Sequence, residues 1–140
     1  MNGTEGGCLC GAVRFRVTDT PLSSIICHCR TCRRASGAPS VAWLTVARSD
    51  FTVLSGVPTE FTSSAGVTRS FCSICGTPLT YKSDQNPDTI DVTTVSLDDP
   101  SLVPPTREVW LEHKLSWEAT NRALDQYPGG SSDGSYSSSI

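Results

Sequence analysis

Ala12-Val13-Arg14-Phe15-Arg16-Val17 alternates apolar and polar side chains, the period-two pattern of a half-buried strand. Asp19, Pro21 and Ser23-Ser24 then punctuate the chain as a turn. Ile25-Ile26 leads into a cysteine-rich stretch in which residues 30–36 can make about one or two helical turns, with Gly37 as the stop. Residues 40–46 (SVAWLTV), 51–54, 66–71, 78–82 and 89–97 are strand-like, with Gly, Pro, Asn and Asp between them, and residues 109–111 form a last short candidate. Many short strands without intervening helical patterns predict an all-β sandwich or a related folded sheet, and argue against a βαβ architecture. Trp43, Trp110 and Trp117 are candidates for its core. Residues 131–140 (SSDGSYSSSI) are serine-rich and poor in apolar side chains. They predict a flexible Gly/Ser-rich tail over residues 129–140, after a single domain over residues 1–128.

Bulk properties narrow the class of function. A length of 140 residues suits one domain with a core of its own. The net charge of −3 gives no electrostatic reason to expect nucleic acid or an anionic membrane as partner. No apolar run reaches the roughly 20 residues of a membrane span. The first residues lack both the basic and the apolar region of a secretory signal, so a reducing, cytoplasmic location is expected.

Cysteine changes the picture most. There are 7, an odd number, whereas a disulfide framework favours an even number and an oxidising compartment. Scattered cysteines can serve as small core hydrophobes, but these fall in three tight groups, which points to metal. Cys8-Leu9-Cys10, on an extended backbone, directs both sulfurs to one side. Cys72-Ser73-Ile74-Cys75-Gly76 has the two-residue gap of a zinc knuckle, with a glycine free to turn the backbone. These half-sites together complete the four-thiolate shell of a structural zinc. The middle group, Cys27-His28-Cys29-Arg30-Thr31-Cys32, combines both spacings. Three thiolates on one ion leave the fourth tetrahedral position open, as in catalytic zinc sites. His28 can fill that position, but a residue between two same-side ligands points away, which favours a place outside the coordination shell or at the surface. An alternative partition pairs Cys29/Cys32 with Cys72/Cys75 as a ribbon, although the intervening stretch is about twice the usual 15–20 residues. Spacing ranks these partitions and leaves both open. His113 reads as an ordinary exposed histidine.

The motifs Gly7-Cys8-Leu9-Cys10-Gly11-Ala12-Val13, Cys27-His28-Cys29-Arg30-Thr31-Cys32-Arg33-Arg34-Ala35-Ser36-Gly37-Ala38-Pro39, Phe71-Cys72-Ser73-Ile74-Cys75-Gly76-Thr77-Pro78-Leu79 and Val95-Ser96-Leu97-Asp98-Asp99-Pro100 resemble the glutathione-dependent formaldehyde-activating enzyme family, also called the GFA/CENP-V family. The resemblance spans about residues 7–117 and rests on four ordered motifs. It implies a mostly β fold of the β-tent type, with several short antiparallel sheets, little helix and two zinc ions per chain. Cys8, Cys10, Cys72 and Cys75 would hold the structural zinc, and Cys27, Cys29 and Cys32 the catalytic one. The chain departs from many relatives at Glu108-Val109-Trp110, where they have a histidine, and at Leu124-Asp125-Gln126-Tyr127. Both departures are expected to lie away from the cysteines and to bear on substrate choice.

The resemblance further implies a carbon–sulfur lyase that joins glutathione to formaldehyde as S-(hydroxymethyl)glutathione. Three-thiolate zinc suits this chemistry, because it can hold an incoming thiol as thiolate at neutral pH. A zinc-dependent nucleobase deaminase would need His-x-Glu and Pro-Cys-x-x-Cys, which are missing here. Arg30, Arg33 and Arg34 can attract glutathione's carboxylates or simply solvate a helix face. The competing class is a non-catalytic zinc module, carrying glutathione or docking to a protein.

Overall fold

The computed structural model of the chain describes residues 3–130. Its strands are β1 (Thr4–Gly7), β2 (Arg14–Val17), β3 (Ser23–Cys27), β4 (Val41–Ala47), β5 (Phe51–Ser55), β6 (Thr59–Ser64), β7 (Val67–Phe71), β8 (Pro78–Ser83), β9 (Thr89–Thr93), β10 (Arg107–Val109) and β11 (Asp125–Gln126). One short helix, α1 (Arg30–Ser36), lies between β3 and β4. The mostly β expectation holds, and the strands form two sheets, one of three strands (β1-β2-β5) and one of eight (β11-β10-β3-β4-β9-β8-β7-β6). Pairing is antiparallel except at one margin, where β10 runs parallel to both β3 and β11. The expected tail falls almost wholly outside the described residues. No helix among the described residues is long and apolar enough to cross a membrane.

Differences from the sequence reading have local causes. β1 reads TEGG and β6 reads TEFTSS, so neither shows apolar alternation, and both take their strand form from pairing with β2 and β7. The run at residues 89–97 stops being a strand after Thr93, where Thr94–Ser96 forms a 3-10 turn. There Thr93 Oγ1 donates to Ser96 Oγ (2.8 Å) and Ser96 Oγ to the Thr93 carbonyl (2.8 Å), local bonds that compete with a ladder. Of residues 109–111 only Val109 is strand, because Trp110 adopts φ 59° and donates its N–H to the Gly129 carbonyl at 2.9 Å. Trp43 is buried, Trp110 half-buried, and Trp117 71% exposed, so the third tryptophan is no part of the core.

The eight-stranded sheet is covered on both faces, and this is why β4 reads as a nearly continuous apolar run. Leu44, Val46, Leu79, Ile90 and Val92 pack with Val13, Phe15 and Val17 of the small sheet, and Cys8 and Cys72 belong to this cluster. The opposite cluster contains Ile25, Val41, Trp43, Val67, Tyr81 and Val109 together with Cys27, Cys29 and Cys32. Each core thus carries one cysteine group. Directly paired residues share a face, so Thr45, Asp91, Tyr81 and Arg69 form a polar row across β4, β9, β8 and β7 on the second side.

Asp91 is buried in that row and accepts a hydrogen bond from Thr45 Oγ1 at 2.6 Å. Burial pushes its carboxyl up to about 7, against the opposing pull of Thr45 and the Arg69 charge. The folded state therefore holds this proton more tightly than the unfolded chain does. The resulting stabilisation is fully present below the ordinary carboxylate range and is lost as pH rises through about 7. Asp91→Asn keeps the acceptor and removes the titration. In urea unfolding its stability relative to the parent should increase by on the order of a few kcal/mol between about pH 4 and 7. A pH-independent difference would contradict the burial account.

Candidate metal centres

Cys8 and Cys10 sit in the tight turn between β1 and β2 rather than on an extended strand. The Gly11 N–H donates to the Cys8 carbonyl (3.1 Å), and Leu9 projects into solvent at 88% exposure. Cys72 and Cys75 follow β7 in a second turn, closed by the Gly76 N–H on the Cys72 carbonyl at 2.8 Å. Gly76 has φ 81°, a left-handed conformation that glycine adopts without steric cost. The two turns are joined by Thr77, whose Oγ1 accepts from the Leu9 N–H (3.0 Å) and lies 3.2 Å from Cys75 Sγ. Hydrogen bonds from the Thr77 hydroxyl, and next from its amide, hold the Cys75 thiol down to about 5.

All four sulfurs lie within 4.8 Å of one another. Cys8 and Cys10 are 3.6 Å apart and Cys10 and Cys72 3.8 Å, far beyond the roughly 2.05 Å of a disulfide. A tetrahedron of sulfurs about 2.3 Å from a central zinc has edges near 3.8 Å, so this cage fits the ion. The Val13 N–H on Cys8 Sγ (3.2 Å) and the Ile74 N–H on Cys72 Sγ (3.4 Å) supply donors to the sulfurs.

The middle group is built differently. Cys27 ends β3, Cys29 caps α1, and Cys32 lies one turn into the helix. The Cys29 sulfur accepts the Cys32 N–H at 3.3 Å, and the Cys29 N–H is 3.5 Å from Cys27 Sγ. At the far end Gly37 takes φ 61° and returns its N–H to the Arg33 carbonyl, closing the helix after seven residues. All three cysteines are completely buried, with their sulfurs within 4.8 Å of one another. No fourth His, Cys, Asp or Glu joins them among the described residues. Hydrogen bonds from Cys27, then from Cys32 and Thr31, hold the Cys29 thiol well below the ordinary thiol range. Burial pushes the Cys27 thiol up.

The ribbon partition is not the one adopted, since Cys29 and Cys32 group with Cys27 and not with Cys72 and Cys75. His28 lies outside the sulfur cluster, as its position between two same-side cysteines implies, and it is buried rather than at the surface. Its Nε2 is 2.7 Å from Glu108 Oε1. Glu108 also accepts from the Asn121 N–H at 2.6 Å, and β10 lies beside β3 with Val109 opposite Cys27. Tyr127 donates its N–H to the Glu108 carbonyl at 2.9 Å. The expectation that the two departing segments lie away from the cysteines is therefore corrected: they meet each other at Glu108, directly behind the middle group. His113 is half-buried rather than exposed, stacked on Trp110 at 5.6 Å and 3.4 Å from Arg30 Nη2.

Arg30 and Arg34 are exposed, whereas the arginine that reaches the middle sulfurs is Arg69 of β7, only 4% exposed. Its Nη2 lies 3.5 Å from Thr31 Oγ1 and 3.7 Å from Cys32 Sγ, and its guanidinium lies 5.0 Å from the centre of the Tyr81 ring. No motif marks Arg69 for the middle site, because it lies 37 residues from Cys32 in sequence. Period-two alternation would have placed it inward, between Val67 and Phe71.

The His28–Glu108 contact gives a test of the buried support. Glu108→Ala strands a buried imidazole and the Asn121 N–H, and should cost about 1–3 kcal/mol in chemical unfolding of the metal-loaded protein. Glu108→Gln retains an acceptor and should lose less. Equal, negligible losses would show that the pair supports nothing.

Known proteins resemble this chain over most of its length. The family model described as "Glutathione-dependent formaldehyde-activating enzyme" matches residues 3–113, which include all seven cysteines. A Halomonas elongata protein carrying the provisional name of glutathione-dependent formaldehyde-activating enzyme is 32% identical over 139 residues, covering 92% of this chain and 88% of that protein. A crystal structure of a Rhodobacter sphaeroides protein superposes with a TM-score of 0.59 at 27% identity, covering 73% of this chain and 99% of that one. With a match over most of its length, the chain belongs to the GFA family, that of the glutathione-dependent formaldehyde-activating enzymes.

Proposed function

We propose that the chain is a zinc-dependent carbon–sulfur lyase acting on a thiol–carbonyl adduct, with glutathione and formaldehyde as the pair its family points to. The reading rests above all on three converging, buried sulfurs, a group of potential metal ligands distinct from the four-sulfur group. Cys27, Cys29 and Cys32 would hold the catalytic zinc, and Cys8, Cys10, Cys72 and Cys75 the structural one. Zinc bound by these three residues would stabilise an incoming thiol as thiolate.

The chain's own residues supply the remaining requirements. The Cys32 N–H, the Thr31 hydroxyl and Arg69 lie against the sulfurs and offset negative charge on the cluster. Trp43, Tyr81 and Val109 pack about the cysteines and limit water near the reacting thiol. In the synthetic direction a C–S bond forms between the thiol sulfur and the aldehyde carbon, and the thiol proton ends on the former carbonyl oxygen. The reverse reaction breaks that same bond and returns the proton to sulfur. Cysteine clusters that serve as metal ligands favour a reducing, cytoplasmic setting.

Elemental analysis of purified protein is expected to give two zincs per chain. Cys29→Ser should lower the zinc content and return adduct formation to the uncatalysed rate, a loss exceeding the roughly 10–100-fold typical of an outer-shell defect. Cys75→Ser should abolish soluble folding, because a structural zinc supplies on the order of 10 kcal/mol. One zinc in fully reduced, well-folded protein would contradict the two-site reading. Stoichiometric glutathione binding without acceleration would instead identify a carrier.

A further inference from the structure

A cavity of about 330 Å³ lies between α1 and the strands β4, β6, β7 and β8, lined by Ser36, Trp43, Phe61, Arg69, Phe71 and Gly76 among others, and Arg69 connects it to the middle cysteines. Its volume is at the lower end of the range for small-molecule sites, enough for one arm of a ligand. Phe61 and Phe71 form an edge-on pair at 5.9 Å, and Phe61 is 42% exposed, so this side of the cavity meets solvent.

The polar groups are unevenly satisfied. Trp43 is 2% exposed, and its indole N–H has no hydrogen-bond partner. The buried Ser36 hydroxyl likewise has none. Such groups cost free energy when unmet, and both residues border this cavity, so an acceptor bound there could satisfy them. The same cavity is bordered by the buried guanidinium of Arg69, which also reaches Cys32 Sγ at 3.7 Å. A cation and two donors around a small aromatic-walled space suit a carboxylate better than a neutral or cationic group.

Resting on the function proposed above, we infer that this cavity receives the carboxylate arm of the thiol substrate, with Arg69 as its cationic partner and Trp43 and Ser36 as hydrogen-bond donors. The subsite would therefore select carboxylate-bearing thiols over neutral ones. Arg69 would join substrate binding to the sulfur cluster through its contact with Cys32.

Calorimetric titration of the zinc-loaded protein with 3-mercaptopropionate and with its methyl ester tests this. The free acid is expected to bind at least about 10-fold more tightly than the ester, as a charge-assisted contact requires. Propionate, which has no thiol, should compete with it and perturb the tryptophan fluorescence. Arg69→Met should erase the preference. Because Arg69→Met can disturb folding, Trp43→Phe and Ser36→Ala provide a second route, and each should narrow the preference several-fold. Equal binding of acid and ester, or a preference unchanged in the Trp43→Phe/Ser36→Ala double variant, would overturn the assignment. Acid preference without accelerated adduct formation would sink the enzymatic reading and leave the subsite standing; acceleration without acid preference would do the reverse.

Discussion

Thiolate charge inside a small β fold is costly unless a cation and nearby donors balance it, and both cysteine groups are arranged around that requirement. Each sulfur cluster is surrounded by N–H and hydroxyl donors from its own turn, and the middle cluster has Arg69 besides. The same constraint separates two roles. The four-sulfur cage joins a turn near residue 8 to one near residue 75, so an ion bound there restricts a long loop of the unfolded chain. The three-sulfur group closes only a short loop and does less for stability. On the proposed function, it would leave a position for a ligand.

The eight-stranded sheet keeps these roles apart. Side-chain alternation sends Leu44, Val46 and Val92 toward the small sheet and the four-sulfur cage, and Trp43, Tyr81 and Arg69 toward the three-sulfur group. Two metal ions could then be held in one small domain without sharing surroundings. On the three-sulfur side Glu108 pairs with His28 and takes the Asn121 N–H, so the C-terminal part of the described chain closes behind the cysteines.

Cysteine spacing made most of the metal centres legible, because ligand geometry restricts which residues can meet at an ion. The helix with its Gly37 stop and the strands with apolar alternation were legible for similar reasons. The first half-site is a turn rather than an extended strand, since Gly11 closes back on Cys8, a bond that spacing alone does not reveal. β1 and β6 escaped notice because their strand form depends on partners and not on their own side chains. Arg69 and Glu108 are brought to the middle site by strand pairing across large sequence separations, and a scan for nearby motifs does not see such pairing.

The central claim is that one chain holds a closed four-sulfur metal site and an open three-sulfur site. Cadmium NMR of the fully cadmium-substituted protein reads the two ions separately. The account requires two signals of equal area, one indifferent to added glutathione and one that shifts as a fourth sulfur donor arrives. A single signal, or two signals that both ignore the thiol, would contradict it.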